Sequence, residues 1–166
     1  MVNPWSVWLI PCAKDIVKYQ ALIKDCCSRS SAPNFMPHLT LFGRLDIEPG
    51  STFHFFNEII KGCPPLSMNQ LGIYKGQPPW RSLFVKVEAD NALLRIQEKV
   101  SNRFRSIRDY TFDPHLSIAY GNVKMSQKEI DDISLDDSIM FSSVALVKTP
   151  DRIDRWRSFR TYKLVG

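Results

Sequence analysis

At 166 residues the chain can bury a core within one domain, and its balance of 44% hydrophobic and 23% charged residues excludes long disordered tracts. A formal charge of +5 favours anionic ligands through long-range steering, so nucleotides, RNA and simple phosphates are all admitted. No stretch is long and apolar enough to span a bilayer, and residues 1–5 lack the basic and apolar run of a secretory leader, so no membrane partner and a cytoplasmic location are expected.

In chain order, residues 5–11 are β-branched and aromatic and stop at Pro11, which predicts a first strand. Ile16, Tyr19, Ile23 and Cys26 or Cys27 recur at helical spacing over 15–28. A strand is predicted at 37–43, and then a helix over 52–61 that Gly62 closes. Two strands, 66–74 and 82–87, flank a loop rich in Gly and Pro. Residues 91–104 form the clearest helix, with Asp90 placed to cap it and Leu93, Leu94, Ile96, Gln97 and Val100 as its stripe. A strand at 114–121 follows, then a capping box at Ser126 and Glu129, and strands at 140–148 and 156–164. Strands interspersed with helices, without a Gly-rich phosphate loop, predict an α+β protein with mainly antiparallel sheets.

Two stretches say nearly the same thing: Pro37-His38-Leu39-Thr40-Leu41 and Pro114-His115-Leu116-Ser117-Ile118. They hold two of the three histidines. Side chains alternate along a strand, so His38 with Thr40, and His115 with Ser117, project together about 7 Å apart. The plain alternative for each copy is a half-buried strand histidine with a satisfied hydrogen bond. The repetition, half a chain apart, favours one bilobal domain over 1–166, each lobe contributing one motif to a shared cleft.

Two imidazoles facing a common cleft can serve as general base and general acid, because a pKa near 6.5 lets one be neutral while the other is protonated. The hydroxyls of Thr40 and Ser117 then donate to the non-bridging oxygens of a phosphate between them. The sequence has no carboxylate motif for paired metals and no nucleophile elbow. His54, among Phe53, Phe55 and Phe56, is read as structural. Cys12, Cys26, Cys27 and Cys63 show no zinc or redox spacing and are read as idle thiols.

With these residues in hand the chain resembles the two-histidine phosphoesterase superfamily, defined by paired His-x-Thr/Ser motifs in two pseudo-symmetric lobes. Ser6-Val7-Trp8-Leu9-Ile10-Pro11 as opening strand, Tyr120 after the second motif, and Trp156 with Leu164 in the closing strand are similar to its branch of eukaryotic and plant-type cyclic nucleotide phosphodiesterases. The resemblance implies an α+β fold whose lobes, each a mainly antiparallel sheet with flanking helices, enclose a central cleft. It implies metal-independent hydrolysis of ADP-ribose 1″,2″-cyclic phosphate and nucleoside 2′,3′-cyclic phosphates, the latter to 2′-phosphates, with no cofactor. Carried over, His38 and His115 are catalytic, His115 as base and His38 as acid, while Thr40 and Ser117 bind phosphate.

Tyr120 is a candidate to orient phosphate or water, although strict alternation sets it opposite His115 unless the chain bends before Gly121. Trp8 is a candidate platform for a base, against the alternative of a core tryptophan, and Trp80 and Phe42 are weaker ones. Arg152, Arg155, Arg157, Arg160 and Lys163 form either a solvated hairpin face or a contact for pyrophosphate or RNA backbone. Three functions stay open. These are a phosphodiesterase for small cyclic phosphates acting as a monomer, an enzyme that processes RNA ends (terminal 2′,3′-cyclic phosphates, 2′,5′ linkages or trimming), and a non-catalytic binder of phosphorylated RNA ends.

Overall fold

The structure is a computed structural model and describes residues 3–166. Met1 and Val2, part of the segment expected to lack a secretory leader, lie outside the described residues. The elements run β1 (Trp5–Pro11), α1 (Ala13–Cys27), β2 (Leu39–Leu45), α2 (Phe53–Ile60), β3 (Leu66–Lys75), β4 (Leu83–Val87), α3 (Asn91–Phe104), β5 (His115–Ala119), α4 (Gln127–Asp131), β6 (Ser138–Lys148) and β7 (Arg157–Lys163). Short 3₁₀ turns at Pro49–Thr52 and Ile153–Arg155 lead into α2 and β7.

Every strand pairing is antiparallel, and the order is β1-β2-β5-β4-β3-β6-β7 with an added pairing of β1 to β6. Six strands therefore close into a ring, and β7 lies outside it against β6. The architecture is α+β as expected, but the strands form one sheet rather than a sheet in each lobe. The reason is β6. Its start, Ser138 to Phe141, pairs with β3, and its remainder pairs with β1, so one eleven-residue strand joins both halves. On the far side the halves meet where Leu39 of β2 lies opposite Leu116 of β5.

That pair sets the layers. Leu9, Leu39, Leu116 and Val85 stand in one row across β1, β2, β5 and β4, and all four are fully buried. They join the inward faces of α1 (Tyr19, Ile23, Cys26) and α3 (Leu93, Ile96, Val100, Phe104) in one core cluster. Residues one position to either side point to the opposite face of the sheet. An aromatic group seals the core, with Phe104 against Trp5, Phe42, Phe55 and Phe56 at ring-centroid distances of 5.8 to 6.1 Å.

Local signals explain the helices. Asp90 Oδ1 accepts from the Leu93 N–H at 2.8 Å and starts α3, and Ser126 and Glu129 form a reciprocal capping box on α4. Gly62, with φ +73°, ends α2 in the left-handed conformation that glycine adopts without strain. Among the described residues no helix is long and apolar enough to cross a membrane.

Candidate active site

On the sheet face opposite the leucine row, a cavity of about 270 Å³ is lined by Trp8, His38, Thr40, His115, Ser117 and Tyr120. Ser6, Gly43, Arg44, Trp80, Arg81, Tyr110, Thr149 and Trp156 complete its walls. All six residues singled out from the sequence thus meet in one place. The Leu39–Leu116 register accounts for the central four. Extended by one residue each way, it sets His38 beside Ser117 and Thr40 beside His115.

The two imidazoles are held in matching ways. His38 Nδ1 lies 2.8 Å from the Met36 carbonyl oxygen, and His115 Nδ1 lies 2.7 Å from that of Asp113. A carbonyl only accepts, so each Nδ1 carries the hydrogen and each Nε2 is left with a lone pair. The anchor is two residues back in both cases, just before the strand. His38 accordingly precedes β2 instead of lying in it, while His115 opens β5.

The surroundings of the two rings differ. His38 is 4% exposed and stacks on the Trp8 indole, with centroids 3.5 Å apart and planes within 11°. Burial pulls its pKa down to about 3, the Met36 carbonyl acts upward, and the charge of His115 acts downward. His115 is less enclosed. Burial lowers its pKa too, the Asp113 carbonyl raises it, and the Arg81 guanidinium lowers it. Arg81 pairs with the Asp113 carboxylate at 2.6 Å and lies 4.5 Å above the ring of Phe84, whose centroid is 5.3 Å from that of His115. Without a ligand, both imidazoles are neutral at pH 7.

Trp8 is 2% exposed and has one face covered by His38, which makes it a support for the imidazole and leaves little face for a base. Tyr120 lies past the end of β5, where Gly121 at φ +70° turns the chain, so its ring reaches the cavity despite strict alternation. A Cβ at position 121 would collide with Ser31 Oγ. Gly121 N–H donates to Pro79 at 2.8 Å, and Ser30 Oγ donates to the Tyr120 carbonyl. Burial raises the Tyr120 pKa, so its hydroxyl keeps its proton.

Phe42 is fully buried in the core and is no platform. Alternation would set it beside His38, but β2 gains one residue against β1 between Thr40 and Phe42, and this bulge rotates Phe42 inward. A second shift, between Phe42 and Leu45, returns Arg44 to the cavity side with φ 55°, unusual for a side chain other than glycine. Arg44 is held from three sides. Ser6 Oγ accepts from its N–H at 3.0 Å, Arg108 Nη1 donates to its carbonyl at 3.2 Å, and its guanidinium pairs with Asp151 at 2.9 Å. Ser6 Oγ in turn lies 2.8 Å from Thr149 Oγ1.

Arg44, Arg81 and Trp156 were not singled out as site residues from sequence. Ser6 had a signal, since it lies two residues before Trp8 on the same strand face, whereas Arg44 depends on a bulge and Arg81 on a loop. None of Arg152, Arg155, Arg157, Arg160 and Lys163 lines the histidine cavity. Arg152 pairs with Asp154, Arg160 lies over Phe53, and Arg157 donates to carbonyls of its own turn. His54 is exposed on α2. The cysteines are free, and burial pushes the thiols of Cys26 and Cys27 up to about 11, away from reactivity. Among the described residues no three His, Cys, Asp or Glu gather at metal-holding distance.

Comparison with known proteins agrees with this arrangement. A Staphylococcus saprophyticus protein carrying a provisional phosphoesterase name is 26% identical over 140 residues, covering 78% of this chain and 81% of its own. The cyclic phosphodiesterase of Arabidopsis thaliana is 22% identical over 125 residues, 75% of this chain and 69% of its own. Among solved structures, a Thermus thermophilus protein superposes with a TM-score of 0.63 at 17% identity, covering 98% of each chain, and Escherichia coli LigT bound to 3′-AMP with 0.62 at 13%, covering 100% of each. The profile described as "Cyclic phosphodiesterase-like protein" matches residues 3–165, and the chain therefore belongs to this family, within the two-histidine phosphoesterases.

Proposed function

We propose that this protein hydrolyses cyclic phosphodiesters, ADP-ribose 1″,2″-cyclic phosphate and nucleoside 2′,3′-cyclic phosphates, by general acid and base catalysis from His38 and His115. The observation that carries this reading is the pair of imidazoles, each with Nδ1 tied to the carbonyl two residues back and Nε2 left free, on the cavity-facing side of β2 and β5. Such a pair flanks a phosphorus atom from two sides, as in-line displacement requires.

In this reading the negative charge of the substrate stabilises an imidazolium, and one imidazole takes up a proton as it binds. We assign that proton to His38, whose stacked Trp8 π-face supports an imidazolium, and in this assignment the bound phosphate offsets the burial that holds His38 further down than His115. His115 Nε2 then accepts a proton from water as the water oxygen bonds to phosphorus. The bond from phosphorus to the leaving ribose oxygen breaks, and His38 protonates that oxygen. For a nucleoside substrate the 3′ oxygen leaves and a 2′-phosphate remains. Thr40 and Ser117 donate to the non-bridging oxygens, where charge builds, and Tyr120 adds a neutral donor beside Ser117. Arg44 and Arg81 give the mouth its positive charge, and Arg81 Nε is buried without a partner among the described residues. The strand pairing supports a single bilobal domain over 1–166, its halves related across Leu39 and Leu116.

The test follows hydrolysis by phosphorus NMR in excess EDTA, with ADP-ribose 1″,2″-cyclic phosphate, 2′,3′-cyclic AMP and a short RNA ending in a 2′,3′-cyclic phosphate. His38→Ala and His115→Ala are each expected to lower kcat by at least about 100-fold, the usual contribution of a positioned acid or base, while KM changes less because both hydroxyls remain. Near-normal turnover by either variant overturns the mechanism. Turnover of RNA alone moves the substrate to RNA ends, and binding without turnover of anything makes the protein a binder.

A further inference from the structure

Three aromatic rings at the cavity mouth have an arrangement that the chemistry at the histidines does not use. Trp80 and Trp156 lie with planes within 21° and centroids 6.5 Å apart. Tyr120 stands across both, 5.9 Å from Trp80 at 69° and 5.7 Å from Trp156 at 79°. The three make a slot with two facing walls and a crosswise floor. A planar ring between two walls needs about 7 Å, twice the optimal separation of non-bonded carbons, and the two indole centroids lie 6.5 Å apart with the exposed Trp80 side able to open further.

The walls differ in firmness. Trp156 is anchored, its indole N–H donating to the Pro150 carbonyl at 2.9 Å and its ring edge-on to Trp8 at 5.4 Å. Trp80 sits on the loop between β3 and β4 and is 46% exposed, which is a large indole left in water at the rim of a cavity. One wall is fixed and the other is free to adjust. The slot also adjoins the chemistry, since the Trp156 centroid is 6.0 Å from that of His38. The base of a nucleoside whose phosphate sits at the histidines is within reach of the slot.

Building on the hydrolase reading above, we propose that Trp80 and Trp156 clamp the planar base attached to the same ribose that carries the cyclic phosphate. This makes nucleoside 2′,3′-cyclic phosphates better substrates than ADP-ribose 1″,2″-cyclic phosphate, whose phosphate-bearing ribose has no base of its own. Stacking accepts every base, so the clamp ranks substrates by ring area, with purines first, and does not read hydrogen-bonding edges.

The test compares 2′,3′-cyclic AMP, 2′,3′-cyclic CMP, ADP-ribose 1″,2″-cyclic phosphate and a base-free methyl riboside 2,3-cyclic phosphate in wild type, Trp80→Ala and Trp80→Phe. Trp80→Ala is expected to lower kcat/KM for cyclic AMP by about 5- to 100-fold, the range for one stacked base, mainly through KM. The base-free substrate should lose less than twofold, and Trp80→Phe should recover most of the loss. An equal loss on both substrates, or no loss on either, overturns the clamp. A short RNA ending in cyclic AMP separates the two sources of the nucleotide, and insensitivity of the better of the two substrates to Trp80 also overturns it. Binding separates this proposal from the hydrolase reading. Even without turnover, 2′-AMP must quench tryptophan fluorescence and bind at least tenfold more tightly than ribose 2-phosphate, with the difference lost in Trp80→Ala, and equal affinities sink the clamp.

Discussion

At the scale of single residues, the site is built from groups that the fold holds in states they would not choose in water. His38 is the clearest, with burial driving its pKa to about 3 against the carbonyl that holds its Nδ1. Because kcat/KM reports the free enzyme and kcat the complex, the alkaline limb of kcat should lie at least about one pH unit above that of kcat/KM, as bound phosphate raises the acid imidazole. Steady-state rates from pH 4.5 to 8.5 should show the alkaline limb of kcat, with that of kcat/KM displaced to lower pH or below the range, and coincident limbs would mean that burial does not control His38. Arg44 is the second case, at φ 55° and lining the mouth. In Arg44→Gly, relief of about 1 kcal/mol of left-handed strain is offset by a similar loss in chain entropy. Urea unfolding should therefore stay within about 0.5 kcal/mol of wild type, while KM rises about tenfold if the guanidinium meets substrate phosphate. A large stability loss with unchanged KM would assign Arg44 to the fold alone.

At the scale of elements, local signals and observed bounds coincide where caps and stripes lie within one segment. The spacing predicts a helix over 91–104, and α3 has those bounds because Asp90 and the apolar stripe both lie within the segment. Asp90→Ala removes one cap and should lower stability by about 1 kcal/mol with kcat unchanged, measurable by urea unfolding alongside the cyclic AMP assay. The misses fall where neighbours decide. β6 begins two residues earlier than the predicted 140, and the added Ser138 and Ile139 belong to the stretch that pairs with β3. Buried Ile139 and Phe141 around exposed Met140 carry the strand alternation, although the preceding acidic run gives no start signal. The two irregularities in β2, one sending Phe42 inward and the next returning Arg44 to the mouth, exist only relative to β1.

At the scale of the whole molecule, closing the strands into a ring puts both histidines in a water-poor cavity, and stability then depends on pH. The folded pKa of His38 lies below the unfolded value near 6.5, so below pH 6.5 the unfolded chain binds a proton that the native state resists. This contribution is intact above pH 6.5 and is lost as the pH falls toward about 3. The loss amounts to about 2 kcal/mol at pH 5, at 1.36 kcal/mol per unit over the 1.5 units below 6.5, and His115 acts in the same direction. Urea unfolding at pH 7 and pH 5 should show a smaller difference in His38→Gln than in wild type, and added phosphate should protect wild type at pH 5. Equal differences in the two proteins would remove His38 as the source.

Local pattern is enough for the two His-x-hydroxyl motifs, the helices with their caps, and the shared side of the sheet for each His and its hydroxyl partner, although His38 stands just before β2, because period, capping and turn chemistry act within a few residues. The closure of the strands into one sheet, the place of Trp8 under His38, and the gathering of Arg44, Arg81, Trp80 and Trp156 around the same cavity come from the folded chain as a whole. Those outcomes depend on register, a bulge and two loops, in which residues far apart in the chain settle each other's positions through contacts that no local pattern encodes.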